Sequence, residues 1–320
     1  MNTTNGSIVV VAGPTGSGKT ALAVAVAQHF DGVIINADSQ QVYRDLAILT
    51  ARPSAVETAR VPHRLYGVID ASESCSVGRW LKLALIEIDA ARSEQRLPLL
   101  VGGTGLYLEA LLKGLAELPP ISDATRQAAL ALHATLGGVA FRERLAELDP
   151  EAASRLAPTD TQRLTRAYEV ATGTGVSLTE WQRRQGGAPI RRAAAIVLLP
   201  PREQLYPACD ARVRQMVSAG VEGEVRALLA RRLDPTLPAM KAVGVRELGA
   251  YLAGEIPCES AIAAMQQATR NYAKRQYTWF RRRLLAMPMV RQKVINEQFS
   301  ESILPEIFSF IRQFLLTESA

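Results

Sequence analysis

Short runs of consecutive apolar residues alternate along the chain with longer segments that have helical periodicity. The runs with the length and composition of strands buried on both faces are residues 7–12, 32–37, 97–101 and 193–199. Apolar residues at helical spacing predict helices over 19–30 and 106–115. Strands that alternate with helices predict an α/β fold, in which a parallel sheet is flanked by helices.

The pattern changes between residues 119 and 187, where the chain is rich in Ala, Arg and Glu and has no run typical of a buried strand. The periodicity predicts helices over 123–136, 139–148, 150–156 and 161–172. We interpret 121–190 as an all-helical insertion domain, which divides an α/β core into residues 1–120 and 191–320. The core continues after the insertion with mostly helical sequence, including an amphipathic helix over 303–316.

Composition narrows the class of protein. Of the 320 residues, 48% are hydrophobic and 21% are charged, which is typical of a globular protein and excludes a disordered chain or a collagen-like fibre. The 3 cysteines are far apart and fit neither a disulfide set nor a zinc site. No leader peptide is visible, and no apolar run approaches the ~20 residues of a membrane helix. We therefore expect a cytoplasmic protein that does not bind a membrane.

A phosphate-binding loop follows the first predicted strand. Residues 13–20 match G-x-x-x-x-G-K-[ST] and open the first predicted helix, which is the context that this motif requires. Its glycines let backbone N–H groups converge on an anion at a helix N-terminus, while Lys19 adds a full charge and Thr20 a hydroxyl for Mg²⁺. The predicted diphosphate-binding residues are Gly13, Pro14, Thr15, Gly16, Ser17, Gly18, Lys19 and Thr20.

The strands next to this loop end in two further candidate residues. Kinases and nucleotidases usually carry an acid at the end of a hydrophobic strand, but strand 97–101 continues into glycines and Thr104 instead. Strand 32–37 is followed by Asp38. Ligands bind at the carboxyl ends of parallel strands, so Asp38 could ligate a metal or act as a base. Alternatively, Asp38 and Thr104 could each cap a helix.

Basic residues are concentrated near the C-terminus, and the net charge is +6. Eight Lys and Arg residues lie between 270 and 293, interleaved with aromatic residues and not interrupted by an acid. On a helix, Arg270, Lys274, Tyr277 and Arg281 share one face. Such a face suits a phosphate backbone and stacking on unpaired bases, whereas the alternative is a solvated basic helix with its aromatic residues in the core.

These motifs, with others in the same order, resemble the tRNA dimethylallyltransferase family, the bacterial isopentenyltransferases that modify the adenosine next to the anticodon. The resemblance covers nearly the whole chain. The segments that carry it are 13–20, 38–43, 50–53, 61–65, 101–107, 149–150, 160–169, 220–228, 241–246 and 273–280. It implies a P-loop NTPase-like sheet and a monomer. It also implies transfer of the dimethylallyl group of dimethylallyl diphosphate to N6 of adenosine 37 in tRNA, with Mg²⁺ as cofactor and pyrophosphate as the product released.

The resemblance further implies roles for single residues. Asp38 would be the general base that takes the N6 proton, Thr104 would hydrogen-bond near the same amine, and Arg212 would add positive charge at the diphosphate. The helical insertion would grip the anticodon stem-loop. The residues implied to bind tRNA are Asp38, Ser39, Gln40, Gln41, Thr104, Arg126, Gln162, Arg163, Leu164, Thr165, Arg166, Lys241, Arg246, Lys274 and Arg281.

Three other functions stay open. A P-loop kinase for a small molecule would bind ATP, but it leaves the basic C-terminal segment unexplained. An enzyme that prenylates free AMP or ADP shares the chemistry, although the helical insertion and its arginines argue against it. A non-catalytic RNA-binding module would need neither Lys19 nor Asp38.

Overall fold

A computed structural model describes residues 6–184 and 186–317. The chain divides into two compact units. The first combines the residues up to Leu112 with those from Pro189 onward, and the second is Lys113–Ala188. The limits of this second unit differ by several residues from the 121–190 expected from composition.

The strands are β1 (Ser7–Ala12), β2 (Gly32–Asn36), β3 (His63–Arg64), β4 (Leu97–Gly102), β5 (Arg192–Leu198) and β6 (Val290–Ile295). The α-helices of the first unit are α1 (Lys19–His29), α2 (Ala55–Arg60), α3 (Val77–Ser93), α4 (Gly105–Lys113), α9 (Arg202–Ser218), α10 (Val221–Ala230), α11 (Val245–Leu252), α12 (Cys258–Trp279) and α13 (Leu304–Leu316). Those of the second unit are α5 (Asp123–Ala146), α6 (Pro150–Arg155), α7 (Thr161–Thr174) and α8 (Leu178–Arg183). Among the described residues, none of these helices is long and apolar enough to span a membrane.

The first unit is built on a parallel sheet. Within the described ranges the sheet has six strands in the order β3-β2-β4-β1-β5-β6. Successive residues of β1 pack on opposite faces, because Ile8 and Val10 belong to one apolar cluster while Val9 and Val11 belong to another. Burial on both faces explains why the central strands are uninterrupted apolar runs. The predicted α/β fold, with helices flanking a parallel sheet, is confirmed.

The far edge of the sheet was not predicted. Helix α12 ends at Trp279, a π-helix covers Phe280–Leu284, and the chain then enters β6, which pairs with β5 from Ala193↔Val290 to Leu198↔Ile295. An edge strand has one solvated side, so β6 lacks an apolar run. Its Arg291 contacts Gln313 and its Lys293 pairs with Glu306, both on α13. These two basic residues therefore do not continue the basic helix.

The second unit has its own small core of Phe141, Leu145, Leu164 and neighbouring alanines. Gly137 interrupts α5 at φ 72° and ψ 167°, which is where the predicted helices over 123–136 and 139–148 meet. The buried carboxylate of Asp149 accepts the N–H of Ala152 at 3.0 Å and, through its other oxygen, the N–H of Thr179 at 3.0 Å. One side chain thereby holds the first turns of both α6 and α8.

Candidate active site

The phosphate-binding loop connects β1 to α1, and two of its glycines are required by the backbone. Gly18 has φ +88°, and a Cβ there would lie 2.6 Å from Cβ of Phe299. A Cβ on Gly13 would lie 2.6 Å from the carbonyl oxygen of Leu198 on β5. The Nζ of Lys19 donates to the carbonyl of Pro14 at 2.9 Å, so this ammonium lies across the loop.

Two cations and one carboxylate converge beside the loop. Burial lowers the pKa of Lys19 to about 8, the charge of Asp38 opposes this lowering, and the charge of Arg212 adds to it. Burial also lowers the pKa of Arg212, again opposed by Asp38. The guanidinium of Arg212 donates to the carbonyl of Thr50 at 2.7 Å, which fixes its direction. The motifs predicted that Lys19 and Asp38 share one site, and the family resemblance implied that Arg212 joins them; the structure brings the three groups together.

A shallow cleft opens beside this cluster. Its polar lining includes Thr15 of the loop, Asp38 and Arg212. Its apolar lining consists of Leu49, Met216, Val243 and Met265. An anion site and an apolar wall in one cleft suit a ligand that has a charged end and a hydrocarbon end.

Asp38 does not cap a helix, whereas Thr104 directly precedes α4 and its carbonyl accepts the N–H of Leu108 at 3.3 Å. Asp38 Oδ1 accepts the N–H of Gln40 at 2.9 Å in a tight turn, and within the described residues the next helix begins only at Ala55. The hydroxyl of Thr104 accepts the N–H of Ser39 at 2.8 Å and donates to Oγ of Ser39 at 3.1 Å. The ends of β2 and β4 are thereby joined, and Thr104 is held beside Asp38.

The loop after Asp38 is held by a side chain of α10 and by one of its own side chains. The carboxylate of Glu224 on α10 accepts the N–H groups of Ala47, Ile48 and Leu49 at 2.7–2.8 Å. The amide of Gln41 donates to the carbonyl of Thr50 at 2.9 Å. Glu224 lies in a segment that carried the family resemblance without a role, and the structure assigns it to holding this loop. Gln41 was predicted to contact RNA, but in the structure its amide nitrogen donates hydrogen bonds within this loop.

A polar face of α12 also reaches the site. Burial and the Asp38 charge raise the pKa of Tyr272, which lies near Thr104 and Gln276. Tyr272 lines the cleft, and Gln276 is 5% exposed. Sequence analysis missed both residues, because aromatic and amide side chains within a basic segment resemble an RNA-binding surface.

The basic surface near the C-terminus is only partly as predicted. Lys274, Tyr277 and Arg281 are at least partly exposed, but Arg270 forms an ion pair with Asp210 on α9 at 2.5 Å. Tyr277 and Arg281 line an open surface groove, which we call the basic groove. Its lining residues are Arg202, Tyr277, Thr278, Arg281 and Arg282. Arg202 begins α9, far from the others in sequence, and the predicted face did not include it.

In the second unit, one buried acid organises two predicted arginines. The carboxylate of Glu169 on α7 contacts Arg166 at 2.5 Å and Arg126 of α5 at 3.7 Å. Leu164 is fully buried, and the hydroxyl of Thr165 donates to the carbonyl of Thr161 at 2.8 Å. Leu164 and Thr165 therefore stabilise the helix, and their side chains do not face solvent.

The remaining predicted residues are exposed. On the second unit these are Gln162 and Arg163. On the first unit Lys241 ends a short 3₁₀ turn, and Arg246 on α11 is 91% exposed with a contact to Glu247 at 3.5 Å. Exposed side chains of this kind are available to a partner.

Comparisons with known proteins agree on one family. A family model described as IPP transferase matches residues 41–283, and one described as isopentenyl transferase matches residues 6–74. A tRNA dimethylallyltransferase of Rhodospirillum rubrum is 52% identical over 312 residues, which cover 97% of this chain and 95% of that protein. A protein of the same name from Paramagnetospirillum magneticum is 50% identical and covers 99% of both chains.

Solved structures are similar as well. A tRNA isopentenylpyrophosphate transferase from Bacillus halodurans is 33% identical with a TM-score of 0.69, covering 97% of this chain and 96% of that one. A eukaryotic dimethylallyltransferase acting on tRNA is 25% identical with a TM-score of 0.82, covering 96% of this chain and 80% of that one.

Proposed function

The chain belongs to the tRNA dimethylallyltransferase family, and from this premise we propose that it transfers a dimethylallyl group from dimethylallyl diphosphate to N6 of adenosine 37 in tRNA. Pyrophosphate is the second product. The observation that supports this most directly is the cleft in which Arg212 and Asp38, both close to Lys19, meet an apolar wall. A small-molecule kinase would also use the two cations, but it leaves the basic C-terminal segment unexplained.

The loop side of the cleft stabilises the leaving group. As the bond between C1 and the diphosphate oxygen breaks, negative charge grows on the diphosphate. This charge is stabilised by the side chains of Lys19 and Arg212 and by the N–H groups of the loop, which are already in position before the reaction. The hydroxyl of Thr20, with diphosphate oxygens and water, is a donor set that suits Mg²⁺. When bound, Mg²⁺ would neutralise further charge on the diphosphate.

The other side of the cleft serves the acceptor. The exocyclic amine of adenine is a weak nucleophile, because its lone pair is delocalised into the ring. The Asp38 carboxylate accepts the N6 proton as the new C–N bond forms, and Thr104 orients the same amine. Leu49, Met216, Val243 and Met265 surround the prenyl chain and keep water from its electron-poor carbon.

The tRNA contacts that we propose lie on both units. Chemistry on a base requires the base to leave its stack, so the anticodon loop has to be held while the adenine enters the cleft. In the first unit, Ser39 and Gln40 lie beside Asp38, while Lys241, Arg246 and the basic groove offer charge to phosphates. In the second unit, Arg126, Gln162, Arg163 and Arg166 offer polar groups to the anticodon stem-loop.

The proposed function is tested by incubating the protein with Mg²⁺, dimethylallyl diphosphate and unmodified bacterial tRNA, then digesting the RNA and weighing its nucleosides. We expect a prenylated adenosine. A product with AMP but none with tRNA would instead support prenylation of free nucleotides. ATP turnover without any prenylated product would support a kinase.

The basic groove allows a test of RNA binding separate from chemistry. Replacing Arg281 and Arg282 together with Gln should weaken tRNA binding and reduce the slope of log K against log salt concentration by about 1–2, because two phosphate contacts are lost. The measurement is a filter-binding titration at several salt concentrations. Arg226→Gln with Arg232→Gln is the matched control, since both arginines are exposed and line neither the cleft nor the groove. Equal slopes for the two double variants would remove the groove from the tRNA interface.

A further inference from the structure

Gln276 is a buried amide in the middle of a basic, largely exposed stretch of helix. Its residue exposure is 5%, whereas Lys274, Arg275 and Thr278 around it are exposed. Burying a primary amide is unfavourable unless both its oxygen and its nitrogen find hydrogen-bond partners. The partners of Gln276 therefore indicate what this side chain does.

Both ends of the amide bond to backbone groups of the active site. Oε1 accepts the N–H of Thr15 in the phosphate-binding loop at 2.7 Å. Nε2 donates to the carbonyl of Gly103 at 3.0 Å, in the turn that leads to Thr104. These two segments follow the neighbouring strands β1 and β4, which pair up to Ala12↔Gly102. Gln276 thus joins the loop that would hold the diphosphate to the turn that faces the acceptor.

The helix lies directly against this turn, with no space to spare. A Cβ on Gly103 would lie 2.0 Å from Nε2 of Gln276, and one on Gly105 would lie 2.2 Å from the indole ring of Trp279. The residue after Gly103 is Thr104, whose hydroxyl bonds with Ser39. Gln276 therefore connects the diphosphate loop, through the Gly103–Thr104 turn, to the segment that carries the proposed base.

We infer that Gln276 is a positioning residue that sets the spacing between the diphosphate loop and the Thr104 turn. This inference rests on the proposed function, because it concerns the distance between the two reacting groups. Displacement at carbon requires those atoms to be held roughly 3–3.5 Å apart, and a misplacement of about 1 Å can lower the rate about 100-fold. The amide spans the two loops, so its loss lets them move relative to each other without removing any group that touches a substrate.

The test compares variants at Gln276 with a matched variant elsewhere. Gln276→Met keeps the length of the side chain and removes both bonds, while Gln276→Glu keeps an acceptor for Thr15 N–H and loses the donor to Gly103. Gln292 is the control, because its Nε2 also joins two backbone carbonyls, those of Leu284 at 3.0 Å and Met287 at 2.9 Å, away from the cleft. For each variant we would measure the melting temperature, the Kd for tRNA and for dimethylallyl diphosphate, and the single-turnover rate of prenyl transfer.

The expected result is a rate about 10- to 100-fold lower for Gln276→Met at saturating substrates, with the Kd for tRNA unchanged and Gln292→Met near the wild-type rate. If Gln276→Met does not fold, Gln276→Glu provides the test. We expect this variant to lower the same rate by a smaller factor, because it keeps one of the two hydrogen bonds. Equal rates for the Gln276 and Gln292 variants would overturn the inference, as would a loss explained wholly by weaker substrate binding. A wild-type chain that yields no prenylated tRNA would overturn the proposed function itself, and this inference with it.

Discussion

Replacing Asp38 with Asn should lower the single-turnover rate of prenyl transfer by about 10²–10⁴ while leaving the affinity for tRNA nearly unchanged. Asn retains an oxygen that can accept the N–H of Gln40, the contact made by Oδ1 of Asp38 at 2.9 Å. It cannot take a proton from the adenine amine. The measurement is a rapid-quench assay at saturating dimethylallyl diphosphate and tRNA, with filter binding of tRNA alongside it.

Asp234 offers a control with the same local geometry. Its Oδ1 accepts the N–H of Thr236 at 2.8 Å, two residues further on, just as Asp38 accepts that of Gln40. Asp234 does not line the cleft, so Asp234→Asn should keep the wild-type rate. A rate for Asp38→Asn within a few-fold of this control would show that Asp38 is not the base. Parallel losses of rate and of tRNA affinity would instead make Asp38 a tRNA-binding residue only.

The central strands and the position of the site could be predicted from sequence, because both follow from burial and topology. Strands buried on both faces are continuous apolar runs, and parallel strands bring their carboxyl ends to one edge. Asp38, Thr104 and the phosphate-binding loop therefore had to be neighbours. Strand β6 was not predicted because it lies at the edge of the sheet, where its middle residues are polar and the sequence has no continuous apolar run.

The partners of individual side chains could not be predicted in the same way. Glu224 reaches backbone N–H groups 175–177 residues away, and Gln276 joins loops 261 and 173 residues away. No local pattern encodes such pairings. Arg270 illustrates the same limit, since helical spacing places it with Arg281, yet its ion pair with Asp210 on α9 removes it from the basic groove. Residues that organise the site were therefore harder to find than residues that could react.

Replacing Lys19 with Ala should lower kcat/KM for dimethylallyl diphosphate by about 10²–10³, the range seen when one preorganised group that stabilises developing charge is removed. Its Nζ lies over the loop, bonded to the carbonyl of Pro14 at 2.9 Å, so it is placed to contact the diphosphate oxygens. Steady-state kinetics with tRNA in excess measures the effect. Lys82, an exposed lysine of α3 that does not line the cleft, supplies the control as Lys82→Ala.

The same lysine predicts how the wild-type activity depends on pH. Burial lowers the pKa of Lys19 to about 8, so its ammonium is charged below that value and neutral above it. Because kcat/KM reports the free enzyme, it should fall as pH rises through about 8. Lys19→Arg should move this fall to higher pH, since a guanidinium keeps its charge, although its geometry lowers the plateau. If kcat/KM of Lys19→Arg still falls near pH 8, the titration belongs to another group. Lys19 would then stay charged over the pH range measured.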